Sequence, residues 1–316
     1  MNVSLFPPGF SICSCTLDLY IRRSAPQSHN LHRFLLYLPS MRSSRIPFRW
    51  LRASLALLLI LQSHVMATEA SGVGADWEYS YDPCSVLGPQ HWGDLHEEWE
   101  TCKTGAQQSP ISIKPSNIIV SPSLGSLRTG YDTRPAFLQN KGHEILVNWT
   151  ESPGDLVIGE KTYHLRQCHW HSPSEHQLFG KRYPLELHMV HTTPAGEIAV
   201  IGVLYEFGHF ADPLLNQLSD GLIDLQTQDD VFVGTIRPPL VGEREPYFRY
   251  GGSLTTPPCG EPVTWTVMKE VRSVTERQLA SLRIPVHDKD NARPVQPING
   301  RNVYMSMPPL EDHASS

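Results

Sequence analysis

The chain has 316 residues and a formal net charge of −6, and 40% of its residues are hydrophobic against 18% that are charged. That balance excludes wholesale disorder, and the length suits one large or two small hydrophobic cores. The charge is uneven, because residues 1–67 carry +6 whereas the rest of the chain carries −12. An acidic body argues against nucleic acid or an anionic membrane as the partner, since both attract basic surfaces.

The first 67 residues are predicted to be a leader with a signal peptide. Four arginines precede an apolar run at residues 53–61, and Val65 and Ala67 follow at the spacing that suits signal peptidase. The run is much shorter than the roughly 20 residues of a membrane-spanning helix. Met41 is an alternative start. The leader predicts secretion, while the Ser- and Arg-rich stretch before Met41 leaves delivery to the plastid lumen or stroma as the alternative.

The remainder is expected to be one domain with short ends. Residues 68–75 form a short mature N-terminal segment, residues 76–308 the domain itself, and residues 309–316 a polar tail. The tail has neither a stop-transfer helix nor a lipid-anchor signal, so no membrane anchor is expected. The sequence leaves the oligomeric state open.

The sequence of the body predicts a series of strands with few helices. β-branched or aromatic runs bounded by Gly, Pro or Asn predict strands at Glu144–Trp149, Leu156–Ile158, Thr162–Trp170, Leu185–His191, Ile198–Phe207 and Val263–Glu270. Asp212-Pro213 predicts a helix start, and Ser273 with Glu276 predicts a capping box before a second helix. The pattern therefore predicts a mainly β, single domain with short peripheral helices.

Four cysteines remain after the leader, namely Cys84, Cys102, Cys168 and Cys259. They lack the CxxC spacing of structural zinc sites, and an even number in an exported protein suggests disulfides whose pairing the spacing leaves open. Asn148 begins the triplet Asn-Trp-Thr, which predicts N-glycosylation although it lies within a predicted strand.

The stretch from Gln167 to His176 contains the first candidate metal-binding residues. His169 and His171 are two residues apart, so on a strand both imidazoles project from one face, together with Gln167. The intervening Cys168 and Trp170 then face the opposite side, where an apolar core would receive them.

A second predicted strand repeats the arrangement, with Glu186, His188 and Val190 on one face. If the two strands pair, three imidazoles converge, and three neutral His ligands with one open position are typical of catalytic zinc. Copper, iron and nickel also accept imidazole, and HxH pairs are common on strands without a metal. Gln167 and Glu186 are suited to accept the outer N–H groups of His169 and His188, or else they are ordinary polar residues at a sheet rim.

At this point the order of motifs along the body resembles the alpha-class carbonic anhydrases, and most closely their exported, plant-like branch. The motifs are WEYSYDP, HWGDL, QQSPISI, KGHEILVNW, QCHWHSPSEH, LELHMVH, GGSLTTPPC, VTWTV and NARPVQPING. The resemblance implies a large twisted, mostly antiparallel central sheet. It also implies zinc-dependent, reversible hydration of carbon dioxide to bicarbonate and a proton by a zinc-bound hydroxide, with sulfonamides and anions as inhibitors.

The resemblance assigns roles to matching positions. His169, His171 and His188 are similar to the family's zinc ligands, Thr255 to the hydroxyl that orients the hydroxide, and Glu175 to the acceptor of the Thr255 proton. His143 is similar to the proton shuttle, and the neighbouring Glu144 is expected to raise its pKa. The implied substrate pocket consists of Val190, Val200, Leu254, Thr255, Thr256, Val263 and Trp265.

Other implications are structural. Cys102 and Cys259 match the disulfide of exported members, while the resemblance assigns no pairing to Cys84. Asp94 stands where the family has a tyrosine, a departure expected to alter the water chain beside the shuttle. The alternative function is a non-catalytic, carbonic-anhydrase-like binding or storage protein, although such relatives typically lack a histidine ligand. No HExxH motif occurs, which argues against a zinc protease.

Overall fold

A computed structural model of the chain describes residues 78–242 and 244–307. The predicted leader, with its signal peptide and the alternative start at Met41, and the polar tail lie outside the described residues.

The described residues form one large sheet and one small one. The strands are β1 Ser112–Ile113, β2 Ile118–Val120, β3 Arg128–Tyr131, β4 Arg134–Asn140, β5 Ile145–Trp149, β6 Gly154–Ile158, β7 Lys161–His171, β8 Gln177–Leu178, β9 Lys181–Arg182, β10 Leu185–Thr192, β11 Ile198–Phe207, β12 Asp230–Ile236, β13 Tyr247–Gly252, β14 Val263–Met268, β15 Arg272–Val274 and β16 Val303–Met305. The large sheet has 13 strands, and its main path runs β12-β4-β5-β7-β10-β11-β14-β13-β16-β2. β3 pairs with β6, β6 also pairs with β7, and β15 pairs with β11.

The predicted mainly β fold is confirmed. Neighbours in the centre of the sheet are antiparallel, whereas β11–β14, β11–β15 and β2–β16 are parallel pairs. β11 has the predicted bounds, and the ends of the five other predicted strands differ by one or two residues. The pattern misses strands such as β4, β12 and β13, because Pro135, Gly234 and the pair at 251–252 interrupt their apolar alternation.

The helices are short and lie beside the sheet: α1 Trp92–Leu95, α2 Thr101–Thr104, α3 Pro213–Gln217, α4 Ser219–Asp224 and α5 Glu276–Arg283, with single 3-10 turns at Glu97–Trp99, Pro115–Asn117 and Pro122–Leu124. Asp212 caps α3 as predicted, because its Oδ1 accepts the Leu215 N–H at 2.9 Å. The predicted capping box was wrong by two residues. Ser273 pairs with Glu206 within the sheet, so Thr275 and Gln278 form the box that starts α5.

The two faces of the central strands carry different side chains, apolar on one face and histidine on the other, as the period of two predicts. Cys168, Trp170, Leu187 and Met189 are at most 3% exposed and pack into the larger apolar core. His169, His171 and His188 therefore face the other side, where a smaller apolar cluster lies. Within residues 78–242 and 244–307, none of the helices combines the length and the apolarity needed to cross a bilayer.

Candidate metal centre

Strand pairing brings His169, His171 and His188 together. β7 and β10 are antiparallel, with His169 directly opposite His188 and His171 opposite Glu186. The candidate ligand nitrogens of the three imidazoles lie within 4.8 Å of one another, and all three residues are buried. The ring centroids are 4.6 to 5.2 Å apart. The cluster can hold a metal ion.

Hydrogen bonds fix which nitrogen of each ring faces the centre. His169 Nδ1 donates to Gln167 Oε1 at 2.8 Å, and His188 Nε2 donates to Glu186 Oε1 at 2.9 Å. His171 Nδ1 donates to the carbonyl oxygen of Asn291 at 2.7 Å. The lone pairs therefore lie on Nε2 of His169 and His171 and on Nδ1 of His188. The buried His171 Nε2 has no hydrogen-bond partner among the described residues, as expected of an atom reserved for a ligand.

Gln167 and Glu186 thus contact the histidines for which the sequence suggested them. The Asn291 carbonyl was missed, because it comes from a loop 120 residues after His171 and any residue type supplies a carbonyl oxygen. No side-chain signal in the sequence marks it.

Glu186 is the centre of a buried network. Its Oε2 accepts the backbone N–H groups of Glu175 and His176, and its Oε1 also accepts from His176 Nδ1 at 2.7 Å. Burial alone would raise the carboxyl pKa, but His176 and His188 hold the pKa of Glu186 well below its usual range. His176, Glu186 and His188 also form a geometrically close group of potential ligands. Their hydrogen bonds to one another already occupy those atoms.

The three clustered histidines differ in proton affinity. Burial lowers the pKa of His188 to about 4 and holds the pKa of His169 well below its usual value. Burial acts on His171 in the same direction, but the carboxylates of Glu175 and Glu144 outweigh it and raise the pKa of His171. Neutral imidazole is the metal-binding form, so protons compete with a metal first at His171.

Glu175 and Thr255 are both buried, but the expected hydrogen bond between them is not formed. Glu175 Oε1 accepts the Arg293 N–H at 2.8 Å, and Oε2 has no partner within the described part of the chain. The reason is orientation, since Oε2 lies towards the histidine cluster, 4.0 Å from His188 Nδ1. The roles that the resemblance implies for Glu175 and Thr255 stay a prediction.

His143 is 5% exposed and lies in a closed environment. Its Nδ1 is 2.9 Å from Asp288 Oδ2, and the ring of Tyr79 stacks on it at 4.4 Å. Burial lowers the pKa of His143, and the opposing influence of Asp288 and Glu144 does not reverse that shift. Glu144 acts on the pKa of His143 in the expected direction, but burial outweighs it.

Asp94, the departure from the family pattern, pairs with a surface lysine, and its expected effect on the water chain stays a prediction. Its side chain is 52% exposed and forms an ion pair with Lys103 at 2.6 Å. Tyr79, together with the edge of the Tyr81 ring at 5.8 Å, supplies the aromatic surface beside His143 instead.

Glu144 is a site residue whose contact with the cluster the sequence did not predict. Its Oε2 is buried and lies 3.7 Å from His169 Nε2. Within the described part of the chain, this oxygen has no hydrogen-bond partner. Burial raises the pKa of this carboxyl group. The signal available in the sequence was its place between His143 and the first residue of β5.

An apolar wall adjoins the histidines. Val200, Val263 and Trp265 are 1% exposed and form part of the smaller core cluster, against which Val190 and Leu254 pack. The Trp265 ring lies 4.8 Å from the His188 ring, so the wall reaches the metal cluster. Thr256 is half-buried in the turn that follows Leu254. The structure thus gathers the apolar residues predicted to hold substrate.

Cys102 and Cys259 form a disulfide, the pairing that the resemblance implies. It fixes the loop that contains Thr255 and Thr256, whose ends are also joined by the hydrogen bond from Leu254 N to Gly260 O at 3.0 Å. Cys168 is buried and has a free thiol.

Asn148 lies in β5, half-buried, and its Nδ2 donates to Gln139 Oε1. A glycan on Nδ2 would disrupt this hydrogen bond between neighbouring strands. Glycosylation at Asn148 stays a prediction, and this contact opposes it.

Comparison with known proteins gives a consistent set of relatives. The model of the eukaryotic-type carbonic anhydrases matches residues 87–307. Alpha carbonic anhydrase 7 of Arabidopsis thaliana is 40% identical, over 81% of this chain and 94% of that protein. Carbonic anhydrase Nec1 of Nesocodon mauritianus is 41% identical, over 79% of this chain and 92% of that protein. The crystal structure of dioscorin complexed with ascorbate superposes with a TM-score of 0.71 at 38% identity, covering 74% of this chain and 99% of that one.

Proposed function

The chain belongs to the eukaryotic-type, or alpha, carbonic anhydrase family, and from this premise we propose that it catalyses the reversible, zinc-dependent hydration of carbon dioxide to bicarbonate and a proton. The observation that carries the proposal is the cluster of three buried imidazoles, each fixed by a hydrogen bond so that one lone pair faces the centre.

The residues fit a zinc ion. His169 and His171 would bind through Nε2 and His188 through Nδ1, and three imidazoles leave one position for solvent. Gln167, Glu186 and the Asn291 carbonyl would hold the rings in place. Zinc so held supplies a Lewis acid that lowers the pKa of a water molecule to about 7, a magnitude for which carbonic anhydrase is itself the reference case.

The apolar wall suits a small uncharged substrate. Carbon dioxide has no charge and needs little binding energy, so Val190, Val200 and Trp265 would place its carbon beside the attacking oxygen by excluding water. The Thr255 hydroxyl would orient that oxygen once it turns towards the open Oε2 of Glu175. Sulfonamides and small anions are the expected inhibitors.

His143 would carry the released proton to buffer. Imidazole suits this role because its ordinary pKa is about 6.5, close to the working pH. Its position supports the proposal, since the Asn291 side chain donates to the His143 carbonyl at 2.8 Å while the Asn291 carbonyl accepts from His171.

The test is zinc content together with stopped-flow hydration of carbon dioxide. The chain should bind about one zinc ion, as expected for three imidazoles around one open position, and a chelator should abolish hydration. His169→Ala should abolish both zinc binding and activity, whereas His164→Ala, at a half-exposed histidine of the same strand, should leave them intact. Zinc-loaded protein without hydration activity would refute the enzymatic proposal.

A binding role is the second candidate. Dioscorin, a relative of similar structure, was solved in complex with ascorbate, and this supports a binding role as the alternative for this chain. The complete histidine cluster favours the enzyme over a purely binding protein. Tight binding of ascorbate without any zinc-dependent activity would favour the binding role.

A further inference from the structure

The loop at residues 285–291 is fastened to the turn that contains His143. Three hydrogen bonds span the two segments: Asn140 Nδ2 to Pro285 O at 2.8 Å, His287 N to Gly142 O at 2.7 Å, and Asn291 Nδ2 to His143 O at 2.8 Å. The loop therefore has a defined position relative to the His143 ring.

Asp288, in the middle of that loop, contacts His143 directly. Its Oδ2 lies 2.9 Å from His143 Nδ1 and also accepts the Tyr81 N–H at 3.1 Å. The side chains of His143 and Asp288 are only 6% and 14% exposed. With Tyr79 stacked on one face of the ring, the imidazole is held in one orientation.

We propose that Asp288 is a positioning residue for proton transfer through His143. By accepting the Nδ1–H, its carboxylate keeps the lone pair of the neutral imidazole on Nε2, the atom that must receive the proton. When Nε2 gains the proton, the carboxylate stabilises the resulting imidazolium. The same proton later passes from Nε2 to buffer, so His143 returns to its starting tautomer and Asp288 stays ionised throughout. The inference rests on the proposed function, in which His143 carries the proton.

The need for Asp288 follows from burial. An imidazolium out of water is unfavourable, and an opposite charge within hydrogen-bond distance is the usual compensation. The groups that face His143 are Asp288 and His287 from the loop, Glu144 beside it in the chain, and Tyr79 and Tyr81 from the N-terminal segment. Asp288 combines a negative charge with a hydrogen bond to the ring.

The experiment compares Asp288→Asn with Asp290→Asn in the full zinc-loaded chain. Both changes remove one negative charge from the same loop, but Asp290 is 74% exposed and pairs with Arg283 on the surface. Asp288→Asn should lower kcat in dilute buffer by about tenfold and leave kcat/KM nearly unchanged, because proton export limits kcat alone. Imidazole buffer should restore kcat, and Asp290→Asn should behave as wild type.

NMR titration of the His143 imidazole supplies a readout independent of activity. In Asp288→Asn its pKa should fall by about one unit, and the preference for the Nδ1–H tautomer should be lost. In the double variant with His143→Ala, Asp288→Asn should cause no additional loss of kcat.

Several results would overturn the inference: unchanged kcat and an unchanged His143 titration in Asp288→Asn, equal losses in Asp290→Asn, or a further loss in the double variant. A parallel fall in kcat/KM would indicate general damage to the site and would also overturn it. If zinc-loaded wild type does not hydrate carbon dioxide, or His143→Ala keeps full kcat in dilute buffer, the proposed function fails instead. The NMR titration then still decides whether Asp288 fixes the tautomer.

Discussion

At the scale of single residues, the site depends on groups that never touch substrate. Glu186 illustrates this, because a fully buried carboxylate accepts four hydrogen bonds and one of them orients the His188 ring. Residues that orient metal-binding histidines control metal affinity as well as geometry.

Glu186→Gln should therefore weaken zinc binding by about 10- to 100-fold while the fold is kept. Glutamine has one acceptor oxygen where glutamate has two, so either the two ring N–H groups or the two backbone N–H groups lose their acceptor, and the His188 ring is held less firmly. Competition with a chromophoric chelator measures the zinc affinity. Glu160→Gln, which changes the same charge in an exposed turn, should leave it unchanged. An unaltered affinity in a folded Glu186→Gln protein would contradict the assigned role.

His191 should couple stability to pH from the opposite face of the sheet. It is fully buried against the Tyr131 hydroxyl at 2.7 Å, and burial lowers its pKa to about 4. In the unfolded chain His191 binds a proton as the pH falls below about 6.5, whereas in the folded chain it stays neutral until about pH 4. Its contribution to the free energy of unfolding is therefore complete above pH 6.5 and is lost as the pH falls towards 4.

Between pH 7.5 and pH 5 this residue should account for about 2 kcal/mol of lost stability. Urea unfolding at the two pH values measures the loss, and His191→Gln should show a smaller one by that amount. Equal pH dependence in the two proteins would show that His191 does not titrate on unfolding.

Sequence patterns could predict those site residues that share a strand with their partner. Gln167 and Glu186 stand two positions from His169 and His188, so the period of two places each pair on one face. Asn291 and Asp288 belong to a loop without periodicity, more than 100 residues from the histidines they contact. Their contacts with the histidines depend on tertiary packing, which a local sequence pattern does not encode.

At the scale of elements, the disulfide links the helix α2 to the loop that holds Thr255. Its cysteines are separated by 157 residues, so reducing it releases a large closed loop in the unfolded chain. The double variant Cys102→Ala with Cys259→Ala should lose about 5 kcal/mol of stability in the chain-entropy model. Urea unfolding measures the loss, and wild type in strong reductant should match the variant. Cys168→Ala, at a buried free thiol, serves as the control for losing a cysteine.

The strands themselves were predictable where both hydrophobicity and flanking turns agreed. β11 is a run of ten residues with little polar interruption, and its predicted bounds are those observed. β2 and β16 have three residues each and pair in parallel from opposite ends of the body. Such short strands exist because the sheet offers them a partner, and three residues are too few for a periodic pattern to be recognised.

At the scale of the whole molecule, the predicted destination remains to be tested. Secretion of the full chain from a eukaryotic host should yield a protein whose N-terminus follows Ala67, because the residues before it match a signal peptide. N-terminal sequencing of the medium fraction and of isolated plastids from a plant host decides between the two destinations. A processed form found only in plastids would contradict secretion.

The parallel pair β2–β16 also has a consequence during synthesis. The partner of Ile118–Val120 emerges more than 180 residues later, which takes roughly 10–40 s at ribosomal rates. Until then β2 presents an unpaired backbone edge, and Ile119 and Val120 remain 44% and 48% exposed even in the finished fold. An unpaired apolar edge invites other chains to pair with it. The nascent protein is therefore exposed to aggregation through β2 in the interval before β16 is made.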